Sequence, residues 1–509
     1  MRARVIAALI AVLSGAAAPA RAGLTEGPRL ARIYDTILGA RFDEADARLA
    51  EACPPAPAEA CDALAEVETW WRIQLDPDSR ALDGELTARA ARAIAASEAW
   101  TAREPDRGEA WFYLAGAYAP LVQWHVLRGK RMTAAREGNR IRQALERALA
   151  LDPSLQDAYF GIGLYHYYAD VASAGAKFLR WLLMLPGGDR VKGLQEMLRA
   201  RDHGELLSGE ADFQLHLLYL WYERKPERAR ELLEELDARY PTNPLFLQRL
   251  ALVDDEYLHD HIAGELHWHE LAERAAAGRV SAPALAAASA QLGMARELDA
   301  LDQTDRAIAP LETLVESGAD SPYGVQAAAH LQLARAHDRL GQRDRAVTEY
   351  RAAIAAVPAG SSTDINKQAE DGLAHAPDPR RAAAYRTSLE GWRALERGNP
   401  ERAADLLAQA TEAAPNDTVA VYRYARALDA AGRHDEARRE LESVVTVTPP
   451  APAFVRASAF VDLARAIEHS DRARAIALYS AAATIVGGDR HARDEAARAL
   501  KRLTQSRIR

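Results

Sequence analysis

The sequence predicts an all-α protein in which antiparallel helix pairs repeat and stack into a superhelical solenoid. Apolar residues make up 49% of the 509 residues, enough for a long continuous core. Alanine is abundant, and it combines high helix propensity with a side chain small enough for close helix packing. The strongest observation is a spacing of 34 residues in the last third of the chain, which joins Pro415 to Pro449, Gly398 to Gly432, Ala403 to Ala437 and Leu407 to Leu441. That period is typical of stacked helix–turn–helix repeats.

Residues 1–22 have the pattern of a cleaved signal peptide. Met1–Arg4 is basic, Val5–Leu13 is a short apolar run, and Ala20–Ala22 fits a small-x-small cleavage site before Gly23. The alternative is an uncleaved anchor, but the apolar run is shorter than the roughly 17–25 residues that span a bilayer. We therefore expect export to a bacterial periplasm or secretion.

The charge of the remaining chain argues against binding to nucleic acid, and its hydropathy argues against a membrane-spanning segment. The formal net charge is −9, and loss of the arginines at positions 2, 4 and 21 leaves 61 basic against 73 acidic residues, or about −12. An acidic chain is a poor binder of nucleic acid. Phe178–Leu185 is the most apolar later stretch, but Arg180 interrupts it. We predict no transmembrane segment.

Cys53 and Cys61 are the two cysteines of the chain, and PPAPAEA separates them. In an exported protein, a close pair predicts a disulfide that closes a proline-rich turn between two helices. Two independent buried thiols are the alternative. Metal binding by two isolated cysteines is disfavoured.

The clearest repeat runs from Thr418 to Pro449. We place its first helix before Gly432, where a left-handed helix cap is wanted, and its second helix after Gly432, with Pro449 as its end. The same register recurs around Gly341 and Gly398, and more loosely around Tyr479. A capping helix is predicted over residues 491–507.

The register is interrupted between Pro358 and Arg380, where we predict a loop with one extra helical turn. Residues 23–278 carry a degenerate form of the pattern, whereas residues 279–509 form the regular solenoid. Eight of the nine tryptophans precede residue 270, including Trp70 and Trp71, and we assign them to core packing.

Over residues 324–449 the alternation of large, small and aromatic positions resembles the tetratricopeptide repeat superfamily. The resemblance implies a right-handed superhelix whose concave face binds peptides or partner proteins. It also implies that the groove is lined by side chains of the first helix of each repeat: Gln332, Arg335, Asp338, Tyr385, Ser388, Trp392, Tyr422, Arg423 and Arg426.

Among these groove positions, Arg335, Arg423 and Arg426 are basic, whereas Tyr385, Trp392 and Tyr422 are aromatic. Arginine pairs with carboxylates and aromatic rings offer rigid contact area, so an acidic or C-terminal peptide fits this surface. The alternative is an ordinary solvated helix face. The lysine and asparagine carboxylate clamp of chaperone-binding members is missing, since Leu331 and Leu389 stand at two of its positions.

The segment YLHDHIAGELHWHE contains four histidines in eleven residues. On a helix, His261, Glu265 and His269 share one face and could hold a metal ion. Ordinary surface histidines are the alternative, and we predict no cofactor. HELAE lacks the second histidine of the zinc-protease pattern.

Enzyme motifs are missing from the sequence. It contains no glycine-rich phosphate loop, no nucleophile elbow and no recognisable catalytic triad, and Gly161-x-Gly163 is assigned to helix packing. We therefore predict a non-enzymatic exported scaffold for a protein or peptide. The alternatives are an envelope protein that binds a metal or small ligand, and an enzyme with its site in the tryptophan-rich half.

Overall fold

The computed structural model describes residues 23–171, 187–358 and 364–505, which form twenty-four α-helices and no strand. The first eight helices are α1 (Gly27–Leu38), α2 (Phe42–Ala52), α3 (Ala58–Leu75), α4 (Asp83–Arg103), α5 (Gly108–Leu127), α6 (Arg131–Leu151), α7 (Ala158–Val171) and α8 (Arg190–His203). The next eight are α9 (Ser208–Trp221), α10 (Pro226–Arg239), α11 (Pro244–Glu256), α12 (His261–Ala276), α13 (Pro283–Ala300), α14 (Thr304–Ser317), α15 (Val325–Arg339) and α16 (Arg343–Ala356). The last eight are α17 (Ile365–Ala374), α18 (Pro379–Glu396), α19 (Pro400–Ala413), α20 (Thr418–Ala430), α21 (His434–Thr446), α22 (Ala453–Ile467), α23 (Arg472–Ala483) and α24 (Arg490–Gln505). The predicted all-α solenoid of helix pairs is confirmed.

The chain divides into two compact units. The first contains Met1–Tyr34, Arg48–Glu66 and Thr87–Ser208, and the second contains Asp35–Ala47, Val67–Leu86 and Gly209–Arg509. The predicted boundary at 278/279 falls inside the second unit. The division into a degenerate half and a regular half at this boundary stays a prediction.

In the first unit, α7 and α8 cross at glycines. A Cβ on Gly163 would lie 2.7 Å from the carbonyl oxygen of Gly193, and one on Gly161 would lie 2.6 Å from Leu145 Cδ1. Gly163 therefore permits close backbone approach of α7 to α8, and Gly161 leaves room for the Leu145 side chain of α6, which agrees with the assignment of both to helix packing. Cys53 follows α2 directly and Cys61 lies in the first turn of α3, and their sulfurs are at bonding distance, 2.04 Å.

In the second unit, helix ends follow the sequence signals. Asp417 caps α20 by accepting hydrogen bonds from the amides of Val419 and Ala420, and Gly432 adopts φ 78° between α20 and α21. Trp71 is fully buried and packs against Phe213 with the two rings tilted and 5.0 Å between their centroids. Tryptophans of the N-terminal half thus include core residues, but Trp221 is 54% exposed and departs from the core assignment.

The later repeats share a core of alanine and β-branched residues, and α24 closes it with buried Ala496 and Leu503. The insertion after Pro358 is more ordered than predicted: its described part contains the ten-residue helix α17, which packs against Tyr350. Further along, Gly487 lies against the backbone of His259, because a Cβ there would come 2.5 Å from the His259 carbonyl oxygen.

Within the described ranges, no helix combines the length and apolar character that a membrane crossing requires. The segment Phe178–Leu185, the most apolar stretch after residue 22, lies outside the described residues, as do residues 1–22.

Candidate functional site

The turn between α13 and α14 contacts the first helices of three later repeats. Arg423 donates from Nη2 to the carbonyl oxygen of Asp302 at 2.6 Å, and Arg339 bonds the carboxylate of the same residue. Tyr385 pairs its hydroxyl with Thr304 Oγ1 at 2.9 Å. We call Asp302, Thr304, Arg339, Tyr385 and Arg423 the inner cluster.

Burial shapes the electrostatics of the inner cluster. Burial raises the pKa of Asp302, while the charges of Arg339 and Arg423 oppose that rise. It also lowers the pKa of Arg423 and raises the pKa of Tyr385 to about 12. The desolvated Asp302 carboxylate is thus paired with Arg339, while Arg423 binds the backbone of the same residue, and together these contacts brace the repeats against one another.

Three of the predicted partner-binding residues form hydrogen bonds with other residues of the chain and are buried. Tyr385 and Arg423 belong to the inner cluster, and Tyr422 donates from its hydroxyl to Asp462 Oδ2 at 3.1 Å. Their exposed fractions are 7%, 4% and 7%, respectively. In this structure they are not offered to a partner, because the first helices of successive repeats approach closely enough to bury them.

Asp338 and Ser388, which were also placed in the groove, are buried, whereas the remaining four groove residues reach solvent. Gln332 and Trp392 are half-buried, and Arg423 Cζ lies 5.6 Å from the ring centre of Trp392. Arg335 is exposed and donates to Gln368 Oε1 at 2.7 Å. The Arg426 side chain is 46% exposed and lies 3.7 Å from Asp462 Oδ2. The accessible part of the predicted groove is therefore mainly basic.

In the histidine-rich segment, the structure brings His261 together with acidic residues other than the one predicted. His261 Nδ1 lies 2.9 Å from Glu297 Oε2 and 3.2 Å from Asp255 Oδ1. His269 instead lies 3.5 Å from Glu273 and is exposed, and Glu265 does not belong to this group either. His261 is thus the one member of the predicted metal set that joins a cluster of possible ligands.

Hydrogen bonds with Asp255 and then Glu297 raise the pKa of His261 to about 9, against a smaller opposing effect of burial. Burial alone raises the pKa of Asp255, but the contacts with His261 and Arg296 bring it below its usual value. Burial raises the pKa of Glu297. Without an ion, the three groups form a compact ion-pair cluster.

Sequence reasoning missed Asp255 and Glu297 because they lie on helices other than the one that carries His261. One signal was available: Glu297 follows His261 by 36 residues, close to the repeat period. Residues one period apart occupy equivalent places in neighbouring repeats and can meet.

The helix pairs, the register and the close crossings define a solenoid scaffold, a class that presents surfaces to partners. The tetratricopeptide repeat family matches the chain over residues 292–361 and 394–459. The chain therefore contains tetratricopeptide repeats in these two segments, as its sequence indicates.

Three solved structures are similar over large parts of the chain. A tetratricopeptide repeat protein from Parabacteroides merdae is 15% identical, with a TM-score of 0.25, and the match covers 58% of this chain and 99% of that one. The P58(IPK) TPR domain is 15% identical, with a TM-score of 0.23, and the match covers 88% and 100%. An IFIT1 monomeric mutant with Gppp-AAAA is 13% identical, with a TM-score of 0.28, and the match covers 77% and 82%. Similarities at this level carry nothing about function. No curated protein matches the chain.

Proposed function

We propose that this chain is an exported protein-interaction scaffold that binds an acidic segment of a partner protein through Gln332, Arg335 and Arg426. One observation carries the proposal: Arg335 and Arg426 are exposed on the first helices of repeats that match the family, α15 and α20. Guanidinium groups at such positions can form paired hydrogen bonds with carboxylates.

The inner cluster reduces the number of predicted groove residues that a partner can contact. Because Tyr385, Tyr422 and Arg423 are bonded within the chain, the partner meets a basic surface, and Trp392 is the aromatic member of the predicted groove set that stays accessible. Binding of this kind is mainly electrostatic, so its association rate falls as salt rises.

Site-specific photocrosslinking tests the surface. A photoreactive residue at Gln332 captures a partner protein in cells, whereas one at Arg351, exposed on the second helix α16, is the matched control. The double change Arg335→Glu and Arg426→Glu abolishes the Gln332 adduct, and an unchanged helical circular dichroism spectrum shows that the variant still folds. Capture that is equal at both positions, or that survives charge reversal, overturns the surface assignment.

Export rests on the signal pattern of residues 1–22 and is supported by the neighbouring Cys53 and Cys61 sulfurs at bonding distance. Mass spectrometry of the chain recovered from a periplasmic extract tests it. We expect a mature protein that begins at Gly23. A chain that retains Met1 in the cytoplasm contradicts export without affecting the binding surface.

A further inference from the structure

We infer that Asp255, His261 and Glu297 form a site for one divalent first-row transition metal ion. The site is separate from the proposed partner surface. It also differs from the metal set that helix periodicity suggests, since two of its three ligands come from other helices.

The ligand atoms are already spaced for coordination. The imidazole Nδ1 lies 2.9 Å from Glu297 Oε2 and 3.2 Å from Asp255 Oδ1, and each of the three residues offers a ligand atom within 4.8 Å of the other two. Ligands held at about 2.1 Å with tetrahedral or octahedral angles are roughly 3.0–3.4 Å apart. An ion can therefore enter with small side-chain adjustments and no movement of the helices.

The fold fixes these ligands from three helices. Asp255 lies in the last turn of α11 and His261 is the first residue of α12, whose start is capped when Asp260 accepts from the amide of Ala263 at 3.1 Å. Glu297 lies on α13. Gly264 leaves room for its carboxylate, because a Cβ there would lie 3.2 Å from Glu297 Cδ.

An ion pair alone leaves part of this cluster unsatisfied. Nδ1 carries at most one proton, yet two carboxylate oxygens converge on it. Glu297 is 0% exposed, and its Oε1 has no hydrogen-bond partner. A buried carboxylate oxygen without a partner is costly, and an ion bound by the same carboxylate relieves that cost.

Arg296 contacts the cluster from its outer side. Its Nη2 lies 2.9 Å from Asp255 Oδ2 and 3.9 Å from Glu297 Oε1. The contact with Oδ2 orients the Asp255 carboxylate and leaves Oδ1 for the ion, which is the usual role of a group that supports a ligand.

The ligand set selects the class of metal. One imidazole and two carboxylates suit Zn²⁺, Mn²⁺ or Fe²⁺, whereas Mg²⁺ and Ca²⁺ prefer oxygen ligands alone. The His261 side chain is 26% exposed, so solvent reaches the site and water can complete the coordination sphere.

Isothermal titration calorimetry of the untagged full chain, stripped with chelator, tests the site with Zn²⁺ and Mg²⁺. We expect one Zn²⁺ per chain at micromolar affinity and no Mg²⁺ binding. His261→Ala, Asp255→Asn and Glu297→Gln each weaken Zn²⁺ binding by about tenfold or more.

His269→Ala is the matched control, because this exposed histidine lies on the same helix and belongs to the set suggested by sequence alone. It leaves Zn²⁺ affinity unchanged. Visible absorption of the Co²⁺-loaded protein provides a second readout, and its band disappears in His261→Ala. The inference is overturned if Zn²⁺ produces no heat, or if His261→Ala binds it as tightly as the parent.

Discussion

Arg423 donates a 2.6 Å hydrogen bond to the backbone carbonyl of Asp302, which lies 121 residues earlier in the chain. In a simple solenoid each repeat contacts its neighbours alone. Here the turn after α13 reaches α20, so the inner face of these repeats is held together across the array. Residues that resemble a partner-binding groove therefore also stabilise the fold.

The first prediction concerns this brace. Arg423→Ala leaves the Asp302 carbonyl and the Ser388 hydroxyl without a bonded donor, and we expect a loss of about 2 kcal/mol in the free energy of unfolding. Urea unfolding followed by circular dichroism measures it. Arg438→Ala is the control, since Arg438 is an exposed member of a surface pair with Asp435, 3.7 Å away. Equal stability of the two variants contradicts the brace.

The second prediction concerns close helix packing between α18 and α19. A Cβ on Gly391 would lie 2.6 Å from Cγ of the fully buried Leu407. Gly391→Ala therefore lowers the free energy of unfolding by about 1–3 kcal/mol through overpacking. Gly116→Ala meets open space within α5 and stabilises that helix by about 0.5–1 kcal/mol. Opposite shifts in melting temperature are expected, and shifts of the same sign refute this reading.

The third prediction concerns acid. His216 is fully buried, and burial, followed by the charge of Arg249, lowers its pKa to about 3. The unfolded chain binds a proton at this residue below about pH 6.5 whereas the folded chain does not, so its contribution to stability is lost as pH falls. We expect a loss of roughly 1.5 kcal/mol between pH 6.5 and pH 5.

His216→Asn removes this titration. Its unfolding free energy, measured from pH 7 to pH 5, declines less steeply than that of the parent. Parallel slopes for the two proteins are incompatible with a buried neutral imidazole at position 216.

The fourth prediction concerns Cys53 and Cys61. The predicted disulfide between them would close a loop with a sequence separation of 8, and its removal by the double serine variant would cost about 2–3 kcal/mol by loop entropy. Thermal melting measures the change. The parent protein with reductant melts like the variant, whereas a parent unaffected by reductant shows that the thiols are not joined.

Periodicity predicted the helix pairs of the later repeats well, because small and large side chains recur where helices cross. Gly398 and Gly432 both take positive φ at the expected turns. The sequence predicted a single helical turn where the structure has the helix α17. The face of α17 that carries Ile365, Ala369 and Leu373 is covered by Tyr350 and its neighbours. Local propensity gave little indication of that contact.

The candidate sites were harder to predict. Whether Arg423 faces a partner or Asp302 depends on the curvature of the whole array, which no local pattern encodes. The ligands of His261 come from α11 and α13, so a search along one helix finds Glu265 and His269 instead of Asp255 and Glu297. Sites assembled from separate helices need the distances between those helices.

The contact between Gly487 and His259 has a consequence for how this array can evolve or be redesigned. Solenoids usually tolerate the gain or loss of a repeat, because each unit depends on its neighbours alone. Here the backbone of residue 487 must reach residue 259 with no space for a side chain. Insertion or deletion of one helix pair between them would move these loops out of register. The repeat number over this stretch is therefore fixed by geometry, and the array cannot be lengthened there one unit at a time.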